Sequence, residues 1–214
     1  MTPHNLIVAL DGDDFAENIK RVDMMKPFCR TFKIGHAAYA DKHFDALVDY
    51  AKRDGHLIFL DLKLWDIPRT ILRTINRLRY VDYVTIKWDA LDAESLEDIK
   101  CFVKPIAVVH LSSNADTEVG NSEWAKFTTA RFNGFTDVII SPEFLVNFQS
   151  VRNIMSLNKI VPGIRFTNQD ENDHAYTMTP KEAFVAGANQ IVLGSVLFDS
   201  TDPVTQISKI LGRA

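Results

Sequence analysis

Eight short apolar runs, each followed by a polar residue or glycine and then by an amphipathic stretch of helical length, constrain this chain more than any other feature. The runs cover residues 6–10, 31–34, 57–60, 83–86, 106–110, 138–140, 159–161 and 190–193. Helix signals fill the gaps: Asp13 or Asp14 caps a stretch toward Met25, and further stretches cover 41–52, 68–78, 93–102, 118–131, 142–155, 180–186 and 203–211. Prolines 68, 142, 180 and 203 suit a first helical turn, where no backbone N–H is needed. Strands that alternate with helices predict parallel pairing through right-handed crossovers. Eight such units close naturally into a (β/α)₈ barrel of the α/β class, with an open doubly wound sheet as the alternative. No Pro/Gly/Ser-rich linker or low-complexity tract interrupts the 214 residues, so residues 1–214 are expected to form one barrel domain. The longest polar loop, residues 165–179, follows the seventh run; that length in a compact domain goes with function or mobility.

Bulk properties narrow the function classes. The net charge is -4, with no basic stripe, which speaks against a general nucleic-acid binder while leaving room for a local anion site. The apolar runs fall well short of the roughly 20 residues a membrane helix needs. The N-terminal MTPHNLIVALDGDD lacks the basic and apolar regions of a secretory signal. Cys29 and Cys101 lie far apart and outside any CxxC, so neither a disulfide framework nor a zinc site is expected, and a cytoplasmic setting is the default. His36, His43, His56 and His110 show no ligand spacing and read as structural or surface residues.

In a parallel barrel, reactive side chains sit where strands end at the C-terminal rim. The residues there are Asp11, Lys33, Asp61 with Lys63, Lys87, Ser112 with Ser113, Ser141, Pro162-Gly163 with Arg165, and Gly194-Ser195. Asp61 and Lys63 are two apart, so on extended backbone they share a face. If that face is the lumen, they join Lys33 and Asp11 in a set of alternating charges that keep one another ionised where lone burial would neutralise them. The plainer alternative is a helix cap beside a stray ion pair: Asp66 precedes Ile67-Pro68 and suits an N-cap. Spacing alone leaves both open. Lys87 has two acidic candidates, Asp61 and Asp89.

Six segments resemble one family in order along nearly the whole chain. "ALD" at 9–11, "FKIG" at 32–35, "DLKLWDIPRT" at 61–70, "PGIR" at 162–165, "MTPKEAFVAGAN" from Met178 and "IVLGS" from Ile191 are similar to the successive signatures of orotidine 5′-monophosphate decarboxylase. The D-x-K-x-x-D motif is shared with a wider suprafamily that includes keto-gulonate phosphate decarboxylase and hexulose phosphate synthase; the following Ile67-Pro68 is the orotidylate form. The resemblance implies decarboxylation without metal or cofactor, on a small-molecule nucleotide. It implies that Lys63 protonates C6 of the pyrimidine as carbon dioxide leaves, that Asp61 faces the departing carboxylate, and that Lys33 and Asp66 complete a charged tetrad. It implies a homodimer in which Asp66 enters the neighbouring subunit's site. Asp11, Lys33 and Thr70 would contact ribose hydroxyls, and Ser112 would sit near the pyrimidine edge. By the same resemblance, Ile67 and Pro162 would line this site.

The phosphate end departs from the pattern. The family places an arginine directly after the last-strand glycine, and here Gly194 is followed by Ser195. A glutamine of the loop after the seventh strand is replaced by His174, and the fourth strand ends in Lys87-Trp88-Asp89 where a histidine and glycines are usual. Three readings follow. Gly194, Ser195, Arg165 and His174 together hold the phosphate of orotidylate in an altered way, or the substrate is a related compound, or the barrel binds a nucleotide without turnover.

Overall fold

The computed structural model describes residues 1–78, 80–109, 121–147, 156–166 and 177–213. Eight parallel strands close on themselves in chain order: β1 Leu6–Ala9, β2 Thr31–Ile34, β3 Leu57–Leu64, β4 Tyr83–Lys87, β5 Lys104–Val108, β6 Asp137–Ile139, β7 Asn158–Val161 and β8 Gln190–Leu193. The closing pair, with Leu6 opposite Ile191 and Val8 opposite Leu193, rules out the open doubly wound sheet. The helices are α1 Phe15–Met25, α2 His36–Ala40, α3 Phe44–Lys52, α4 Pro68–Ile75, α5 Ala93–Lys100, α6 Asn121–Phe132, α7 Pro142–Asn147, α8 Pro180–Ala186, α9 Ser195–Phe198 and α10 Pro203–Leu211.

Period two along each strand separates two apolar layers. Leu6, Val8, Phe32, Ile34, Ile58, Leu60, Val84, Ile86, Ile191 and Leu193 belong to the large outer core with the helices. Ile7, Ala9, Phe59, Ile106, Ile139, Ile160 and Val192, with Tyr83, form a separate cluster that fills the lumen. The barrel is therefore a packed interior whose mouth alone is free for chemistry.

Local signals explain the helix starts. Asp14, Asp92 and Asp202 accept from the backbone N–H of Glu17, Ser95 and Thr205 at 2.8, 2.8 and 3.0 Å, and Thr179 forms a reciprocal capping box with Glu182. Several boundaries differ from the sequence expectation. The helix expected over 41–52 begins only at Phe44, because the Asp41 carboxylate accepts from His43 N at 2.7 Å and turns the chain between α2 and α3. The helix expected over 68–78 ends at Ile75 and closes in turns. The third strand runs four residues beyond Leu60, and the fifth begins at Lys104, set by its register against Tyr83. A short helix, α9, follows β8 directly. His110, the start expected at Glu118 and the end expected at Met155 lie outside the described residues.

Candidate active site

The period that builds the outer core also decides which polar residues enter the lumen. Phe32 and Ile34 face the helices, so Lys33 faces in; Ile58, Leu60 and Leu62 face out, so Asp61 faces in; Val84 and Ile86 face out, so Thr85 faces in. Asp61 is the hub. Its Oδ1 lies 3.0 Å from Lys63 Nζ and accepts the Thr85 hydroxyl at 3.1 Å. Its Oδ2 lies 3.7 Å from Lys33 Nζ, which reaches Asp11 Oδ2 at 3.4 Å.

The charges thus alternate Asp11, Lys33, Asp61, Lys63 across three neighbouring strands. Asp61 is 8% exposed, so its carboxylate has given up most of its water. Two unit charges about 4 Å apart attract by about 4 kcal/mol at an effective dielectric near 20, and the two ammonium groups offset that desolvation. Removing either leaves a buried charge short of a partner, at a cost of roughly 3 to 5 kcal/mol. Lys63 keeps 37% of its side chain open to the mouth, which leaves its ammonium reachable by a ligand. Gly35, just past β2, has a packing reason: a Cβ there would lie 3.1 Å from Asp11 Oδ1 and 3.5 Å from Lys33 Nζ.

Backbone geometry corrects one step of the sequence argument. Asp61 and Lys63 do meet, but not as alternate residues of an extended strand. Leu60 pairs with Val84 and Leu64 with Ile86, so Asp61, Leu62 and Lys63 stand opposite the single Thr85. Lys63 takes a φ of 49°, a left-handed conformation that costs an L-residue roughly 1 to 2 kcal/mol. Its N–H, lost to the strand ladder, donates to Thr85 Oγ1 at 2.7 Å. Thr85 was absent from the residues drawn from the sequence. Its signal was a hydroxyl at the central, inward position of the run "YVTIK".

The family model described as "Orotidine 5'-phosphate decarboxylase / HUMPS family" matches residues 4–210. The chain belongs to this family. Among relatives in the orotidine 5′-phosphate decarboxylase / HUMPS family, the protein named orotidine 5′-phosphate decarboxylase of Wigglesworthia glossinidia brevipalpis is 30% identical, over 97% of this chain and 96% of that one. The protein of the same name from Dictyoglomus thermophilum is 28% identical, over 96% and 93%. The fold is likewise similar to the orotidine 5′-phosphate decarboxylase of Pyrococcus horikoshii OT3, with a TM-score of 0.80 at 21% identity over 97% and 98% of the two chains. It is also similar to the orotidine 5′-monophosphate decarboxylase of Methanocaldococcus jannaschii complexed with the inhibitor BMP, with a TM-score of 0.79 at 16% identity over 98% of each.

The remaining positions singled out by resemblance to this family fall into three groups. Asp66 and Ile67 lie on the exposed segment that leads into α4, where the Asp66 carboxylate accepts from Ile67 N at 2.7 Å, and Thr70 is exposed in the first turn of α4. Among the described residues of one chain, no ion pair links Asp66 to the charged cluster. Pro162, Arg165, Gly194 and Ser195 lie past the ends of β7 and β8. Gly163 takes a φ of 73°, which explains glycine within "PGIR". Arg165 donates its Nη1 to Ile164 O at 3.0 Å, while its backbone N donates to Met178 O at 2.8 Å. Ser195 is exposed and opens α9. Ser112 and His174 lie outside the described residues.

Two further rim residues take local partners. Lys87 pairs with Asp89 at 3.0 Å, not with Asp61, and its ammonium stands 4.1 Å from the centre of the Trp65 ring. Ser141 is buried, and its hydroxyl accepts from Phe144 N at 3.5 Å, a local role at the start of α7. Among the described residues, no group of three or more His, Cys, Asp or Glu side chains is arranged to hold a metal ion, and no helix is long and apolar enough to cross a membrane.

Proposed function

We propose that this chain converts orotidine 5′-monophosphate to uridine 5′-monophosphate and carbon dioxide, with Lys63 as the proton donor. The reaction is the one for which its relatives are named. The observation that carries the residue assignment is the alternating chain Asp11, Lys33, Asp61, Lys63 at the mouth of the barrel. In the chemical step the bond between C6 and the carboxylate breaks, carbon dioxide departs, and the electron pair stays on C6. A lysine ammonium beside that carbon stabilises the developing carbanion, then gives it a proton. Because Lys63 is held by Asp61 at 3.0 Å, its charge is in place before the reaction begins. Preorganised charge of this kind lowers the barrier without reorganisation at the moment of reaction.

The reading includes a homodimer with shared sites, in which Asp66 serves the partner. Its support is the exposed segment itself: Trp65 and Ile67, at 72% and 65% exposure, flank Asp66 with apolar surface that a second copy would cover. The phosphate end is read as Gly194, Ser195, Arg165 and His174 acting in place of the usual arginine and glutamine. Purified protein incubated with orotidylate should lose the substrate's ultraviolet absorbance, and Lys63→Ala should not. Turnover that survives in Lys63→Ala would remove the assignment of the donor; no turnover in the unaltered protein would remove the substrate.

A further inference from the structure

We infer that Thr85 is a positioning residue that sets Lys63 in its reactive place. The inference rests on Lys63 being the proton donor, and it concerns a residue with no role in the sequence signatures. Thr85 is fully buried at the centre of β4, and its hydroxyl is used in both directions. The oxygen accepts from Lys63 N at 2.7 Å, and the single hydroxyl proton goes to Asp61 Oδ1 at 3.1 Å. Asp61 Oδ1 in turn holds Lys63 Nζ at 3.0 Å. The three residues therefore close a ring: Lys63 backbone to Thr85, Thr85 to Asp61, Asp61 back to the Lys63 ammonium.

The ring accounts for an unusual backbone conformation. The β3–β4 ladder is interrupted between Leu60 and Leu64, and Lys63, at a φ of 49°, would there have an N–H without a strand partner. Strained backbone persists at functional sites only where the surroundings over-determine it. Here one hydroxyl determines both where the lysine leaves the backbone and where the carboxylate that aims its side chain sits. A hydrogen bond ordinarily tolerates some drift; a closed ring of three does not, because shifting one member strains the other two.

Thr85→Val keeps the shape and removes both hydrogen bonds, whereas Thr85→Ser keeps the hydroxyl. The expected result is a fall of tenfold or more in kcat for Thr85→Val with KM for orotidylate within threefold of the unaltered enzyme, and kcat restored to within threefold in Thr85→Ser. A purely structural role would lower both variants together or change KM with kcat, and either outcome overturns the inference, as does unaltered kcat in Thr85→Val. Should Thr85→Val not fold, Thr85→Ala is compared with Thr85→Ser by the same criteria. A crystal structure of the valine or alanine variant separates this inference from the choice of substrate and donor. Lys63 should leave the left-handed region whatever the enzyme turns over, and a Lys63 that stays there refutes the ring.

Discussion

At the scale of single residues, burial and charge sort side chains that look alike in sequence. Lys33 and Lys87 both lie near the ends of strands, yet Lys33 bridges two carboxylates while Lys87 pairs with a neighbour two positions on and sets its ammonium beside the Trp65 ring. The same sorting applies to the cysteines. Burial raises the Cys29 thiol to about 12, so it stays protonated at pH 8, whereas Cys101 is exposed. A thiol reagent at pH 8 should titrate one cysteine in the folded protein and two after denaturation; two in the folded protein would contradict this burial. On the proposed reading, Ser195 is the position at which the phosphate contact is most directly tested. A charge-assisted hydrogen bond contributes roughly 1.5 to 3 kcal/mol, so Ser195→Arg should lower KM for orotidylate by roughly ten- to a hundredfold. An unchanged KM in steady-state kinetics would show that the phosphate is already fully held by other groups.

Elements add the constraints that isolated residues lack. Cap carboxylates start several helices, and their ionisation links helix stability to pH. Backbone N–H donation from Ser95 holds Asp92 below its ordinary value of 3.8, and Thr179 does the same for Glu182 below 4.5. A carboxylate with a lowered folded pKa stabilises fully above its unfolded pKa and loses that contribution as pH falls through the folded value. Urea unfolding should therefore show Asp92→Asn less stable than the unaltered chain at pH 7, with the gap narrowing below about pH 4. A gap that widens in acid would reverse the sign. At α1 the Asp14 cap should be worth about 1 kcal/mol against alanine, measurable in the same experiment.

For the molecule as a whole, barrel closure brings together residues that lie far apart in the chain. Asp11, Lys33, Asp61 and Thr85 meet at one rim because β1 to β4 are neighbours, while the segment 65–67 exposes the apolar side chains of Trp65 and Ile67. The proposed shared sites make a quantitative demand on the proposed dimer. Mixing Asp66→Ala with Asp61→Ala subunits leaves one intact site in each mixed dimer, so about a quarter of the unaltered rate should return if subunits exchange at random in a two-fold dimer. Each variant alone should be nearly inactive. Sedimentation at the molecular weight of one chain, or no recovery among subunits shown to exchange, would exclude shared sites.

Local pattern was enough to specify the alternation of strands and helices and the rim at which Lys33 and Asp61 lie, with their inward placement left to the closed barrel. These follow from period two and from rules of connection, both of which act over a few residues. Helix α3 was legible in its amphipathic spacing but not in its start, since Asp41 was free to cap or to turn and only the chain's path from α2 decided. The contact of Lys63 with Asp61 was expected from extended spacing, yet it depends on a left-handed residue and an interrupted ladder. Those two features need β4 in place. Thr85 shows why: a threonine within an apolar strand is an ordinary β-former until a neighbouring strand turns an N–H and a carboxylate toward its hydroxyl. The sequence by itself determined which charged groups follow the strand runs and which family their motifs resemble, because residue types and short motifs are local. Only the tertiary structure decided how they are held, because a hydrogen-bond ring across two strands exists only once the barrel has brought those strands together.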